Sequence, residues 1–197
     1  MDIILASASP RRRDLLERAG VKFRVLQSDV DEALDDELLA DPHQAAQELA
    51  QRKAGAVVQQ ILAAKPEGVQ VVVIGADTIV FFQNKILGKP KNEEDAFRML
   101  KAMSGKIHTV FTGVTIIDTE SDLAHTFYEE TKVEFYDVTD DEIRNYISTG
   151  DPLDKAGSYG VQGRGCFLVK RIEGDYFTVV GLPIAHLIQI LKKYSKL

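Results

Sequence analysis

Residues 69–82, with the sequence VQVVVIGADTIVFF, constrain the fold of this chain more than any other segment. Most of them are apolar and do not alternate with polar residues, which is typical of a strand buried on both faces. A strand of that kind needs helices on each side of its sheet. The segment therefore predicts an α/β fold with a covered sheet, in which the strand is interrupted near Asp77.

Helical and strand patterns alternate along the rest of the chain, as expected for an α/β protein. The predicted strands cover residues 2–6, 21–26, 69–82, 108–117 and 130–138, followed by a hairpin over 166–181. The predicted helices run from Pro10 to Gly20, over 42–64, 92–105 and 139–148, and from Pro183 onward. An acidic loop is predicted at 28–37 and a glycine-rich loop at 149–165. No linker or repeat separates these elements, so residues 1–197 are predicted to form one folding unit.

The composition excludes several classes of protein. The 197 residues are 45% hydrophobic and 27% charged, which is ordinary for a globular protein with a core of its own. Cys166 is the only cysteine, so no disulfide can form within the chain, and a reducing compartment, the cytoplasm, is expected. No signal peptide or membrane-spanning segment is expected. A net charge of −6 disfavours general binding to nucleic acid.

The segment LASASPRRRDLL, residues 5–16, breaks a rule of helix electrostatics. Ser9 is a suitable N-cap and Pro10 a suitable first helical residue, yet three arginines then fill the first turn. The first turn of a helix carries partial positive charge, so each arginine should cost roughly 0.3–1 kcal/mol unless an anion is near.

The helix over 92–105 obeys the same rule, because the residues at 93–95 in its first turn are all acidic. The exception at the first helix therefore predicts an anion site. Arginine side chains and the N–H groups of a helix N-terminus both bind phosphate, so Arg11 and Arg12 are predicted to bind a phosphate group. Arg13 is predicted to be exposed to solvent.

Lys53 is unusual because it lies on the apolar face of the predicted helix over 42–64. The apolar stripe of that helix runs through Ala46, Leu49, Ala50 and Val57. Two interpretations are open: the side chain extends past the edge of the core to solvent, or it reaches an anion in a cleft.

Asp77 is unusual because it lies within a buried strand. A lone carboxylate there is costly unless it is paired, hydrogen-bonded or bound to a metal. It is interpreted either as a structural residue that caps a neighbouring loop, or as a metal ligand or general base. Gly75, two residues earlier, is interpreted as a bend or as a point where a ligand approaches the backbone.

Two loops supply further candidates. Lys89, in the segment LGKPKN, is either an exposed loop lysine or part of the anion site. The glycine-rich loop carries Lys155 and Gln162 among glycines that permit a close approach to a ligand. The four histidines are scattered without metal-ligand spacing, so any metal is expected to be Mg²⁺ or Mn²⁺, bound by oxygen atoms such as those of Glu32 and Asp77.

Taken together, the segments that carry these residues resemble the Maf proteins over nearly the whole chain. They are, in order, LASASPRRRDLL, DVDE, QRKA, IGADTIV, LGKPKN, MLKAMSGKIHTVFTGV, DPLDKAGSYGVQG and VVGLP. The resemblance implies a bent mixed β-sheet with flanking helices, in two lobes around a cleft, similar to the inosine-triphosphate pyrophosphatase fold. It also implies hydrolysis of nucleoside triphosphates to a monophosphate and pyrophosphate, with a divalent metal cation as cofactor.

The resemblance also implies roles for individual residues. GADT together with DKAGSYGVQG is similar to the branch that acts on dTTP and UTP, in which Asp77 corresponds to the proton acceptor. Asp77 and Glu32 are the expected metal ligands. The expected substrate-binding residues are Ser9, Arg11, Arg12, Lys53, Thr78, Lys89, Lys155 and Gln162, of which Arg11, Thr78 and Gln162 match positions assigned to substrate choice. The expected partners are a nucleoside triphosphate and a second copy of the chain.

Two other functions remain open at this point. Maf proteins are also associated with septum formation, so the chain could be a non-catalytic nucleotide-binding regulator of cell division. A nucleic-acid-binding module could use the three arginines, but the acidic net charge and the lack of an aromatic and basic stripe disfavour it. The physiological nucleotide, normal or modified, is also open.

Overall fold

In the computed structural model, which describes residues 2–64, 70–121 and 123–194, seven strands form one mixed sheet. The strands are β1 (Asp2–Leu5), β2 (Arg24–Val25), β3 (Val71–Phe82), β4 (Lys85–Leu87), β5 (Ile107–Asp118), β6 (Leu123–Phe135) and β7 (Val169–Glu173). Their order is β2-β1-β3-β5-β6-β7, and β4 pairs with β3. β1 is parallel to both of its neighbours, and the remaining pairs are antiparallel.

Helices flank this sheet, as the α/β prediction requires. They are α1 (Pro10–Arg18), α2 (Asp36–Ala40), α3 (Pro42–Ala64), α4 (Glu93–Met103), α5 (Asp140–Ile147), α6 (Tyr176–Val180) and α7 (Ile184–Leu191). Residues 151–168 contain three short 3-10 turns, at Asp151–Asp154, Ala156–Ser158 and Gly163–Leu168. In the described ranges, no helix combines the length and the apolar character needed to cross a bilayer.

The mixed α/β fold is confirmed, but several predicted boundaries are wrong. β3 runs from residue 71 to 82 without the interruption expected at Asp77. Of the strand predicted at 21–26, only residues 24–25 pair, at the edge of the sheet. β6 begins at residue 123 rather than 130, because one of its faces is exposed and carries polar side chains that weaken the strand pattern. Residue 69, the predicted start of β3, lies outside the described residues.

The hairpin predicted over residues 166–181 is also wrong. β7 ends at Glu173, and the chain then enters α6 instead of returning as a strand. The reason is local, because the Asp175 side chain caps the new helix by accepting a hydrogen bond from the Thr178 N–H at 2.8 Å. That residues 1–197 form one folding unit stays a prediction.

Two glycines allow α3 to pack unusually close to the sheet. A Cβ atom on Gly113 would lie 2.2 Å from the Ala46 carbonyl oxygen, and one on Gly75 would lie 2.4 Å from the Ala50 carbonyl oxygen. Neither position could hold a side chain without moving the helix. The interpretation of Gly75 as a bend or a ligand contact is therefore wrong, because the backbone of α3 occupies that space.

His108 on β5 is a buried histidine outside the anion site. Its Nε2 atom lies 2.7 Å from the Tyr159 hydroxyl, and its Nδ1 atom has no hydrogen-bond partner among the described residues. The ring packs edge-on against Phe135. Burial lowers the pKa of His108 to about 4. The imidazole is therefore neutral in the folded protein at neutral pH.

This burial predicts that the protein loses stability in mild acid. Below the ordinary pKa of about 6.5 the unfolded chain binds a proton at His108 and the folded protein does not. The free energy of unfolding should therefore fall by up to about 3 kcal/mol as the pH drops from 6.5 to 4. Urea unfolding of wild type and His108→Gln across this range measures the contribution, and equal pH slopes for the two proteins would contradict it.

Candidate active site

A cleft of about 720 Å³ opens where β1, the N-terminus of α1 and the middle of β3 meet. The middle of α3, the segment after β4 and the glycine-rich loop complete its walls. The cleft is lined by all ten of the residues singled out from the sequence: Ser9, Arg11, Arg12, Glu32, Lys53, Asp77, Thr78, Lys89, Lys155 and Gln162. Residues from distant parts of the chain thus share one opening, and their individual roles stay predictions.

Lys53 and two carboxylates form the most tightly connected group in the cleft. Lys53 is 9% exposed, and its Nζ atom lies 2.5 Å from Asp77 Oδ1 and 2.7 Å from Glu32 Oε1. The side chain therefore turns into the cleft and does not extend to solvent. Asp77 pairs with this lysine and caps no loop, which explains how a carboxylate is tolerated within a buried strand.

The geometry around Lys53 fits a magnesium or manganese ion. The carboxylates of Glu32 and Asp77 approach the same Nζ atom, so both lie within reach of one small cation. The described residues contain no group of three or more His, Cys, Asp or Glu side chains that could hold a metal by themselves. Mg²⁺ is commonly held by one or two carboxylates and completed by substrate phosphates and water, so two carboxylates are sufficient.

Glu32 is ionised in this arrangement. Its partial burial by itself raises the pKa of the carboxyl group, but the hydrogen bond and the charge of Lys53 outweigh that effect and lower the pKa overall. Glu32 therefore offers a negatively charged oxygen at the mouth of the cleft throughout the neutral range.

Arg12 is a buried guanidinium that forms no direct ion pair with a carboxylate among the described residues. Its three nitrogen atoms donate to the Gly181 carbonyl at 2.7 Å, the Ser7 hydroxyl at 3.0 Å and the Thr78 hydroxyl at 3.0 Å. All three acceptors are uncharged, and burial lowers the pKa of Arg12. A guanidinium has five N–H donors, so two remain for a ligand. A buried cation whose direct hydrogen-bond acceptors are all uncharged favours the binding of an anion, although the charges of Asp77 and Glu32 partly offset the cost of burial.

The N-terminus of α1 differs from its prediction in one respect. Ser9 occupies the N-cap position, but its side chain makes no capping hydrogen bond, and its N–H instead donates to the Ser7 hydroxyl at 3.2 Å. The first turn is thus left without a side-chain cap, as in helices whose N-termini bind anions. Arg11 is partly exposed and lies 3.9 Å from Asp154, and Arg13 is exposed as predicted.

The other predicted residues differ in how strongly they are held. The Thr78 hydroxyl accepts from Arg12 and lies 3.0 Å from the Thr112 hydroxyl. Lys89 is exposed at the edge of the cleft, and Gln162 is half-buried. Lys155 contributes to the lining, but its ammonium group lies within hydrogen-bond distance of three oxygen atoms of its own loop.

Two of the groups that hold Arg12 were not predicted from the sequence. The Ser7 hydroxyl lies in the quoted LASASP segment, but nothing in its spacing indicates a contact with Arg12. The Gly181 carbonyl lies 169 positions away, and a backbone acceptor depends on chain path and not on residue type. No local pattern could have revealed it.

Comparison with known proteins identifies the family of this chain. The family model described as "Maf-like protein" matches residues 2–194. A dTTP/UTP pyrophosphatase of Geobacillus sp. (strain WCH70) is 50% identical over 191 residues, which is 97% of each chain. Proteins of the same name from Agathobacter rectalis and Bacillus cereus (strain G9842) are 48% and 47% identical, over 97% and 98% of this chain and 96% and 95% of theirs. This chain therefore belongs to the Maf-like protein family.

Proposed function

We propose that this protein is a nucleoside triphosphate pyrophosphatase that hydrolyses dTTP and UTP to the monophosphate and pyrophosphate. The observation that carries the proposal is Arg12, a buried guanidinium whose three hydrogen-bond acceptors in the described residues are uncharged, in the same cleft as the paired Lys53 and Asp77. The relatives named dTTP/UTP pyrophosphatase, which match over nearly their whole length, support the reaction and the substrates.

The triphosphate is bound at the end of the cleft formed by α1 and β3. Arg11 and Arg12 offer guanidinium donors that match phosphate oxygens, and the uncapped first turn of α1 offers backbone N–H groups. Lys53 and Lys89 add charge that offsets the phosphate groups, with Lys89 exposed at the edge of the cleft. Ser9 supplies a hydroxyl at the same edge.

Asp77 is the proton acceptor of the reaction. It orients a water molecule toward the α-phosphorus and takes a proton as the new phosphorus–oxygen bond forms and the bond to the bridging oxygen breaks. Lys53 holds the Asp77 carboxylate in place and neutralises the charge that develops on the leaving pyrophosphate. A divalent cation held by Asp77 and Glu32, Mg²⁺ or Mn²⁺, supplies further neutralisation of phosphate oxygens when bound.

The base is recognised at the other end of the cleft by Gln162. A glutamine amide has one acceptor and two donors, so it can pair with the N3–H and a carbonyl of uracil or thymine. Thr78 supports substrate choice through its place in the Arg12 network. From the resemblance, we further propose a cytoplasmic homodimer that removes unwanted nucleotides.

We expect Gln162→Ala to lower the preference for UTP over CTP by roughly tenfold or more, because the site loses the polar group that pairs with uracil. Folding should change little, since the Gln162 side chain is only half-buried and makes no capping hydrogen bond to the turn that follows it. Competition assays with the two nucleotides measure the effect. An unchanged UTP:CTP ratio would rule out this role for Gln162.

Pyrophosphate release by the purified protein tests the proposal as a whole. We expect turnover of dTTP and UTP in the presence of Mg²⁺ or Mn²⁺, weak turnover of CTP, and loss of activity with a chelator that is reversed by added metal. A panel with modified pyrimidine triphosphates then identifies the preferred substrate. Binding of dTTP without release of pyrophosphate would instead support the nucleotide-binding regulator.

A further inference from the structure

The glycine-rich loop, residues 149–165, carries Gln162 but belongs to no sheet. Between α5 and β7 the chain forms only short 3-10 turns, which provide few backbone hydrogen bonds to fix the loop. Recognition of a base by hydrogen bonds requires its partner to be held within a few tenths of an ångström. The loop therefore needs support from side chains.

Tyr146, on α5, supplies one part of this support. Its side chain is buried, and its hydroxyl donates to Asp151 Oδ2 at 2.8 Å and accepts from the Gly160 N–H at 3.2 Å. One hydroxyl thus connects the start of the loop to the segment two residues before Gln162. Burial and the hydrogen bond to Asp151 raise the pKa of Tyr146, so the group stays a donor at all ordinary pH values.

Lys155 supplies the second part. Its Nζ atom donates to the Asp151 carbonyl at 2.5 Å, to Asp151 Oδ1 at 3.0 Å and to Asp154 Oδ1 at 2.7 Å. An ammonium group has three N–H donors, so these contacts use all of them. The side chain is 11% exposed, and it lies so close to Gly160 that a Cβ atom there would be 2.9 Å from Lys155 Cε.

Asp151 is the residue that joins both parts. Its two carboxylate oxygens accept from different donors, Oδ1 from Lys155 and Oδ2 from Tyr146. The loop also folds back on itself here, because a Cβ atom on Gly165 would lie 2.3 Å from the Gly160 carbonyl and 2.6 Å from the Tyr146 hydroxyl. We call the three side chains of Tyr146, Asp151 and Lys155 the loop anchor.

We propose that Asp151, through the loop anchor, is a positioning residue that holds Gln162 for recognition of the pyrimidine base. Lys155 is then a part of this support and not a ligand of the phosphates, because its donors are already engaged within the loop. The inference rests on the proposed function. It assigns one task to the loop that carries Gln162, recognition of the base, and another to Arg12 and Lys53, which bind the phosphates in the proposed function.

Asp151→Asn is the sharpest test, because it keeps the shape of the side chain and removes one acceptor. Whichever way the amide turns, either Lys155 or Tyr146 faces an N–H group instead of an oxygen. We expect kcat/KM for UTP to fall roughly tenfold and the UTP:CTP preference to decrease, as for loss of a hydrogen bond to a charged group. The inhibition constant of pyrophosphate, which occupies the phosphate end only, should stay within about twofold.

Two further measurements test whether the effect arises from the loop anchor. Tyr146→Phe should reproduce the effect, and both variants should accelerate hydrogen exchange of the peptide that contains Gly160 and Gln162. Asp141 is an exposed carboxylate on α5 that does not line the cleft, so Asp141→Asn is the matched control. It should change neither kcat/KM for UTP nor the hydrogen exchange of that peptide.

Each other outcome is informative. Unchanged kcat/KM or unchanged exchange in Asp151→Asn would overturn the inference, and so would equal weakening of UTP and pyrophosphate, which indicates general damage to the cleft. If the wild-type protein releases no pyrophosphate from UTP, the proposed function fails and the base-recognition role fails with it. In that case, hydrogen exchange of the peptide that contains Gly160 and Gln162 still shows whether the loop anchor orders the loop.

Discussion

Replacing Asp77 with Asn is expected to reduce pyrophosphate release from dTTP by a hundredfold or more, because positioned proton acceptors contribute roughly 10²–10⁴-fold to a rate. The amide cannot take a proton from water, and it would bring one negative charge fewer to the proposed divalent cation. The change is nearly isosteric, and the amide oxygen can still accept from Lys53 Nζ, which lies 2.5 Å from Asp77 Oδ1. The free energy of unfolding should therefore change by only about 1 kcal/mol.

A matched control exists on the neighbouring strand. Asp118, at the end of β5, is also a buried carboxylate, but it is bound by the Glu120 N–H and the Ser121 hydroxyl and does not line the cleft. Asp118→Asn should retain turnover in proportion to the amount of folded protein. A folded Asp77→Asn protein that releases pyrophosphate at nearly the wild-type rate would refute the role assigned to Asp77.

Gly113→Ala is expected to cause the largest loss of stability, about 3 kcal/mol or more, because overpacking against backbone cannot be relieved by turning a side chain. The new methyl group would lie 2.2 Å from the Ala46 carbonyl oxygen and 2.4 Å from its carbon. α3 must move away from the sheet to accept it. Gly113 pairs directly with Asp77 across β3 and β5, so this movement should also separate Lys53 from Asp77 and reduce turnover.

Gly55→Ala, a substitution on α3 itself, is expected to have the opposite effect on stability. A Cβ atom on Gly55 would have no heavy atom within 4 Å, so the alanine adds helix propensity without a clash. This variant should be more stable by roughly 0.5–1 kcal/mol. Urea unfolding of the two variants beside wild type measures both effects, and a Gly113→Ala protein as stable as wild type would contradict the close packing of α3.

The sequence predicted the elements that local patterns control. The apolar run of β3, the acidic first turn of α4 and the helix predicted over 139–148 all depend on neighbouring residues, and each element was found, although β3 lacks the predicted interruption. The predictions were wrong where an element depends on contacts distant in the sequence, or where the local residues suit both a helix and a strand. The residues of α6 are as apolar as those of a buried strand, and only the cap at Asp175 indicates a helix instead of a strand.

The convergence of part of the site could be predicted because the arginines of α1, Lys53 and Asp77 each violate a local rule. The positions of Lys53 on an apolar stripe and of Asp77 in a buried strand indicated that both belong to one site. In the structure the two side chains form an ion pair. The contacts that hold these residues could not be predicted in the same way. The loop anchor joins Lys155 to Tyr146 and Asp151, which the sequence did not single out, and the role of Gly75 depends on a helix that precedes it in the chain.

The hydrogen bond from Arg12 to the Gly181 carbonyl has a consequence for the order of assembly. A ribosome releases the N-terminal part of a chain first, and α1 with its arginines emerges early. The guanidinium lacks its backbone acceptor until residue 181 has joined the fold. The buried contacts of Arg12 are therefore completed only after the C-terminal part of the chain has joined the fold.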